Sequence, residues 1–113
     1  MEKKELSLAQ EYNDTQFTKR IIHKKGESVV FALNFMPGQE LPKHQHPNTD
    51  VYILMLEGNG TMTVDGENSE VTKGDVVHCD GSEQFSYKNS GDVPCSLYVV
   101  LSKVPDERYA KDV

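Results

Sequence analysis

The chain reads as an all-β protein, a sandwich or barrel of short antiparallel strands. Three observations predict this. Runs rich in β-branched and aromatic residues recur along most of the sequence, glycine-containing turns part them at short intervals, and Asp65-Gly66 is a type I′ hairpin signal between two such runs. Strands this short and this frequent close into an antiparallel sandwich or barrel, not into the alternation of strand and long helix that a parallel sheet needs.

Taken in order, Phe17 to His23 and Glu27 to Phe35 flank Lys24-Lys25-Gly26 and read as a hairpin. A histidine-bearing segment follows, then the apolar strand Val51 to Leu56. Gly58-Asn59-Gly60 turns the chain into Thr61 to Val64, whose Thr-Met-Thr-Val alternation marks a half-buried strand. Beyond Asp65-Gly66 lies a short strand around Val71. Lys73-Gly74-Asp75 then turns into Val76 to Cys79, followed by Gln84 to Lys88 and Cys95 to Leu101. Helix has a claim only at the ends, in a turn around Leu6, Leu8 and Ala9 and another over Asp106 to Lys111 after Pro105.

A chain of 113 residues is long enough for one core and too short for two, so one domain over residues 1–113 is expected, with a barrel core from about Thr18 to Ser102. No apolar run approaches the roughly 20 residues that a membrane helix needs. The start, Met1-Glu2-Lys3-Lys4-Glu5, lacks the apolar stretch of a secretory signal, and a cytoplasmic location is the expectation. A net charge of −6 argues against a nucleic-acid partner, whose binding relies on Lys and Arg displacing counterions. Lys19, Arg20, Lys24 and Lys25 read as a solvated strand and turn. Cys79 and Cys95 form no CxxC or Cys-His zinc pattern and are expected as reduced thiols.

The one cluster that suggests chemistry is His44 and His46. Residues two apart in a strand point to the same face, so these imidazoles can converge on one cation or ligand. Gly38, five residues, His44, one residue, His46, then Asp50 and finally Gly58 is a spacing that resembles the first motif of the cupin family, Gly-x5-His-x-His-x3/4-Glu-x6-Gly. The family's second motif, Gly-x5-Pro-x-Gly-x2-His-x3-Asn, is echoed from Gly74 to Asn89. There Asp80 stands in the proline's place, Ser82 in the glycine's and Phe85 in that of the metal-binding histidine. The resemblance spans about Thr18 to Ser102. It implies a jelly-roll β-barrel with the two motifs on facing strands and a ligand pocket inside.

The resemblance also implies a divalent transition metal, held by His44 and His46 with Asp50 as carboxylate. Such a donor set is permissive among Zn, Fe, Ni, Mn and Cu, and with Phe85 in the last position a metal-free pocket stays open as the alternative. Counted from His46, Asp50 takes the glutamate's place. Counted back from Gly58, that place falls on Val51, and the opposite face of the strand turns inward. We take Asp50 inward, since this puts Tyr52, Leu54 and Leu56 in the core and leaves Glu57 free at the turn; a bulge between Asp50 and Leu56 reconciles the two counts. Gln84 and His78 are substitute ligands for the lost histidine, although His78 reads better as a hydrogen-bonded or surface residue.

Three classes of function follow. The first is a small-molecule binding protein whose pocket is walled by Tyr52, Phe85 and the histidine pair, with Gln84 nearby. The second is a metal-dependent dioxygenase or isomerase, and the third a structural or regulatory dimer. Binding ranks above catalysis, because a shared fold does not carry an activity with it. A homodimer is expected, since an apolar terminal strand such as Leu97 to Leu101 needs a protected edge.

Overall fold

The computed structural model describes residues 1–103. The strands are β1 (Thr18–Lys25), β2 (Ser28–Phe35), β3 (Glu40–His44), β4 (Asp50–Glu57), β5 (Asn59–Val64), β6 (Glu67–Thr72), β7 (Val76–Cys79), β8 (Phe85–Lys88) and β9 (Cys95–Ser102). They form two antiparallel sheets, ordered β1-β2-β9-β4-β7 and β3-β8-β5-β6. The described helix is a single 3-10 turn, Leu6–Ala9. The helical turn expected over Asp106 to Lys111 falls outside the described residues.

The turns form where the sequence allows left-handed backbone. Asp65 and Gly66 both have positive φ, 48° and 85°, as a type I′ turn requires, and they leave Val64 paired with Glu67. Gly26, at φ 57°, supplies the left-handed residue that closes the β1–β2 hairpin. Asn89, the asparagine of the second motif, is buried. Its side-chain amide donates to the Phe35 and Val93 carbonyls at 3.1 and 2.9 Å and its oxygen accepts from the Gly91 amide, so it ties the end of β2 to the loop after β8.

The core lies between the sheets. Phe31, Leu33 and Phe35 of β2 face Met62, Phe85 and Tyr87 of the other sheet, and Leu97 and Val99 of β9 fill the space between. The outer face of β1-β2-β9 is covered by the N-terminal segment, where Ala9 packs on Ile22 and Ala32. Asn34 fastens this cover. Its side chain, with no solvent exposure, donates to the Ala9 carbonyl at 2.8 Å and to Thr18 Oγ1 at 3.1 Å, and accepts from Ser96 Oγ at 2.8 Å.

Two expectations are corrected here. β9 lies between β2 and β4, paired on both sides, so its apolar residues are core and not an edge seeking protection. The face of β4 is also the reverse of the one expected. Val51, Ile53 and Met55 point inward, opposite Leu101, Val99 and Leu97, while Asp50, Tyr52 and Leu54 lie on the outer side. The register fixes this, because β9 presents three inward apolar side chains that Val51, Ile53 and Met55 match without burying a carboxylate or a phenol. An irregularity between Met55 and Glu57 does occur in the β4–β9 ladder, but it comes after Asp50 and Tyr52 have been placed outside.

Candidate functional site

The strands of the two motifs are neighbours in both sheets, β3 beside β8 and β4 beside β7. Between the sheets they leave a cavity of about 210 Å³. Its walls are apolar and include Phe31, Leu33, Val51, Ile53 and Val99; its polar lining comes chiefly from His44, His46 and Lys19.

His44 ends β3. Its Nδ1 lies 2.8 Å from the Pro42 carbonyl oxygen, which can only accept, so in the neutral ring Nδ1 carries the proton and Nε2 the lone pair. His46 follows in the loop toward β4, its ring edge-on to that of His44 with centroids 4.9 Å apart. Both rings lean on Phe85, at 4.4 Å for His44 and 6.2 Å for His46. The loop that carries His46 is held against Gly81. A Cβ at that position would come within 2.7 Å of the His46 carbonyl oxygen and 2.9 Å of the Asn48 and Thr49 amides, so close approach is what requires glycine there. His46 titrates below the ordinary imidazole range, first because burial penalises its cation, then because His44 and Lys19 stand near it.

Asp50 is the main correction. Its Oδ1 lies 2.8 Å from His78 Nε2 on the outer side, and Tyr52 stacks on the His78 ring with centroids 4.9 Å apart. Neither Asp50 nor Tyr52 lines the cavity, because the strand face that carries them is turned away from it. Gln84 is exposed and donates to Gln45 Oε1 at 3.2 Å, also outside the cavity, whereas Phe85 is buried in the cavity wall. Thus, of the residues expected in the pocket, His44, His46 and Phe85 are brought together, and Asp50, Tyr52 and Gln84 are not.

A resident metal does not fit this donor set. A catalytic zinc site uses three protein ligands and a facial triad needs two histidines and a carboxylate, but here the two further motif positions hold Val51 and Phe85, which have no lone pair to offer. Among the described residues no three His, Cys, Asp or Glu side chains gather in a group able to hold a metal ion.

Lys19 is the lining residue that the sequence reading left in solvent. It pairs with Leu33 across β1 and β2, which puts it on Leu33's inward face, and its Nζ sits 4.4 Å from the centroid of Phe31. The signal was the alternation Phe17, Lys19 beside Phe31, Leu33. Tyr87 forms another part of the wall; its buried hydroxyl has no hydrogen-bond partner among the described residues, and burial pushes its pKa up.

Residues 31–101 match the Cupin domain family, which covers more than half of the chain. The chain belongs to the cupin family. It is 30% identical over 88 residues to the uncharacterized protein MJ1618 of Methanocaldococcus jannaschii, an alignment covering 74% of this chain and 70% of that protein. It is 28% identical over 64 residues to the 5-nitrosalicylic acid 1,2-dioxygenase of a Bradyrhizobium species, covering 57% of this chain but only 30% of the dioxygenase. Among solved structures, TT1209 from Thermus thermophilus superposes with a TM-score of 0.85 at 24% identity, covering 93% of this chain and all of that one, a likeness of fold. The double-stranded β-helix of the cupins is thus the fold of this protein.

Proposed function

We propose that this cupin binds a small organic molecule inside its barrel, and does so without a metal ion. The observation that carries the reading is the cavity of about 210 Å³, apolar on its walls and furnished with His44 and His46 on one side. Small-molecule sites are typically concave and mostly apolar with a few placed polar groups, and a closed β-barrel is one of their usual hosts. His44 suits this role, since its Nδ1–H is committed to the Pro42 carbonyl and its Nε2 is presented as an acceptor. The edge-on imidazole pair against Phe85 offers ring faces and edges against which an aromatic ligand can pack.

The metal-dependent enzyme reading draws support from the dioxygenase relative. It lacks the third ligand that such chemistry requires, because Asp50 is engaged with His78 on the other side of β4. A homodimer remains part of the proposal, resting now on the exposed Tyr52 and Val76 of the outer β4–β7 face and not on β9.

The test is ligand-observed NMR with a set of one- and two-ring aromatic fragments, run on the wild type and on Val99→Phe, which narrows the cavity from a fully inward position. Fragments should bind the wild type in the presence of a chelator and lose contact with a folded Val99→Phe protein. Equal binding to both proteins would place the ligand elsewhere.

A further inference from the structure

Resting on the reading of the cavity as a binding site, we propose that its ligand is an amphipathic monocarboxylic acid, with the apolar body inside the barrel and the carboxylate held at the rim by Lys19. The protein is acidic overall, with a net charge of −6, yet among the described residues that line the cavity there is no Asp or Glu and one permanent cation, Lys19. No carboxylate of the described residues lies within ion-pair distance of that ammonium, which rests instead over the Phe31 ring at 4.4 Å. An ammonium on a cation–π contact keeps donors for a further acceptor, and a carboxylate is the acceptor that gains most from it.

The imidazoles do not supply that charge. In its neutral form His44 presents a lone pair at Nε2, which repels an anion and suits a hydroxyl or N–H of the ligand. His46 is held toward its neutral form, first by burial and then by His44 and Lys19 beside it. Recognition of the anion therefore falls to Lys19, and the apolar walls at Val51, Ile53 and Val99 ask for a ligand whose remaining surface is hydrocarbon or aromatic. A polar, highly charged metabolite would leave its groups unpaired against those walls.

The experiment is calorimetric titration of 2-naphthoate and the isosteric 2-naphthamide into three proteins: wild type, Lys19→Met, which keeps the aliphatic stem but removes the charge, and Lys19→Arg. The wild type should prefer the acid over the amide by about tenfold, the size expected for one charge-assisted hydrogen bond at a partly exposed site. Lys19→Met should lose that preference, the acid's affinity falling far more than the amide's, and Lys19→Arg should keep it. Because Lys19 is on an exposed stretch of β1, the variants are expected to fold, and retained amide binding verifies that the cavity is intact. Equal affinity for acid and amide in the wild type, or an acid preference that survives in Lys19→Met, overturns the carboxylate inference and leaves the cavity reading standing. Failure of the wild type to bind either probe overturns both.

Discussion

The two faces of β4 in this cupin differ in burial and in chemistry. Inward, Val51, Ile53 and Met55 are almost wholly buried, and Val51 and Ile53 join the wall that His44 and His46 complete. Outward, Asp50 and Tyr52 make a polar and aromatic contact with His78 on β7, open to solvent. Residues two apart share a face and residues one apart do not, so a shift of one position in register divides what a linear motif presents as one site. The lesson is that the chemistry of a β-barrel pocket is decided by strand pairing before it is decided by residue type.

The comparison is broken most severely by exchanging the faces. Val51→Asp puts a carboxylate where the count back from Gly58 places the family's glutamate, in a position with no solvent exposure and no cationic partner among its strand neighbours. An unpaired buried charge should destabilise the protein by about 3 kcal/mol or more at neutral pH. Part of that loss should return on adding Zn²⁺ or Ni²⁺, since the new carboxylate would then share an ion with His44 and His46. Thermal denaturation with and without the metal measures both effects, and an Asp at position 51 as stable as valine would mean that this position is not inward.

A smaller effect is expected from acid. The folded-state pKa of His46 is depressed by burial, His44 and Lys19, so the unfolded chain binds the proton more readily. The stability this group contributes is therefore present above the unfolded imidazole value of about 6.5 and is lost as pH falls below it. His46→Gln should flatten the decline in melting temperature between about pH 7 and pH 5 relative to the wild type. A decline of the same slope in both proteins would remove His46 from the account.

The smallest effect belongs to the outer face. Asp50→Ala breaks a contact in which both side chains are substantially exposed, 39% for Asp50 and 49% for His78, and exposed pairs contribute little. It should shift the denaturant midpoint only slightly and leave fragment binding in the cavity unchanged. A large loss of binding in Asp50→Ala would show that the two faces communicate, and the division drawn here would need revision.

Most of the fold was legible because its determinants are local. Asp65-Gly66, Lys25-Gly26 and the alternation through Thr61 to Val64 name their own conformations, and the observed turns and strands follow them. The pairing of His44 with His46 was legible for the same reason. What was not legible depends on partners distant in sequence. The face of β4 is set by Leu97, Val99 and Leu101 roughly forty to fifty residues later, and apolar candidates existed on both of its faces. The count back from Gly58 carried the right signal, but Tyr52, Leu54 and Leu56 made the other face look equally fit for a core. Lys19 was missed because a lysine's charge suggests solvent, whereas its long stem can line an apolar wall and bring the ammonium to the rim.

The central claim is that the cavity does its work through its own side chains, without a metal ion. Calorimetric titration of 2-naphthoate into protein freed of metal by a chelator, repeated after an equimolar addition of Zn²⁺, tests this directly. The same affinity is expected before and after the addition. Binding that appears only once zinc has been added would contradict it.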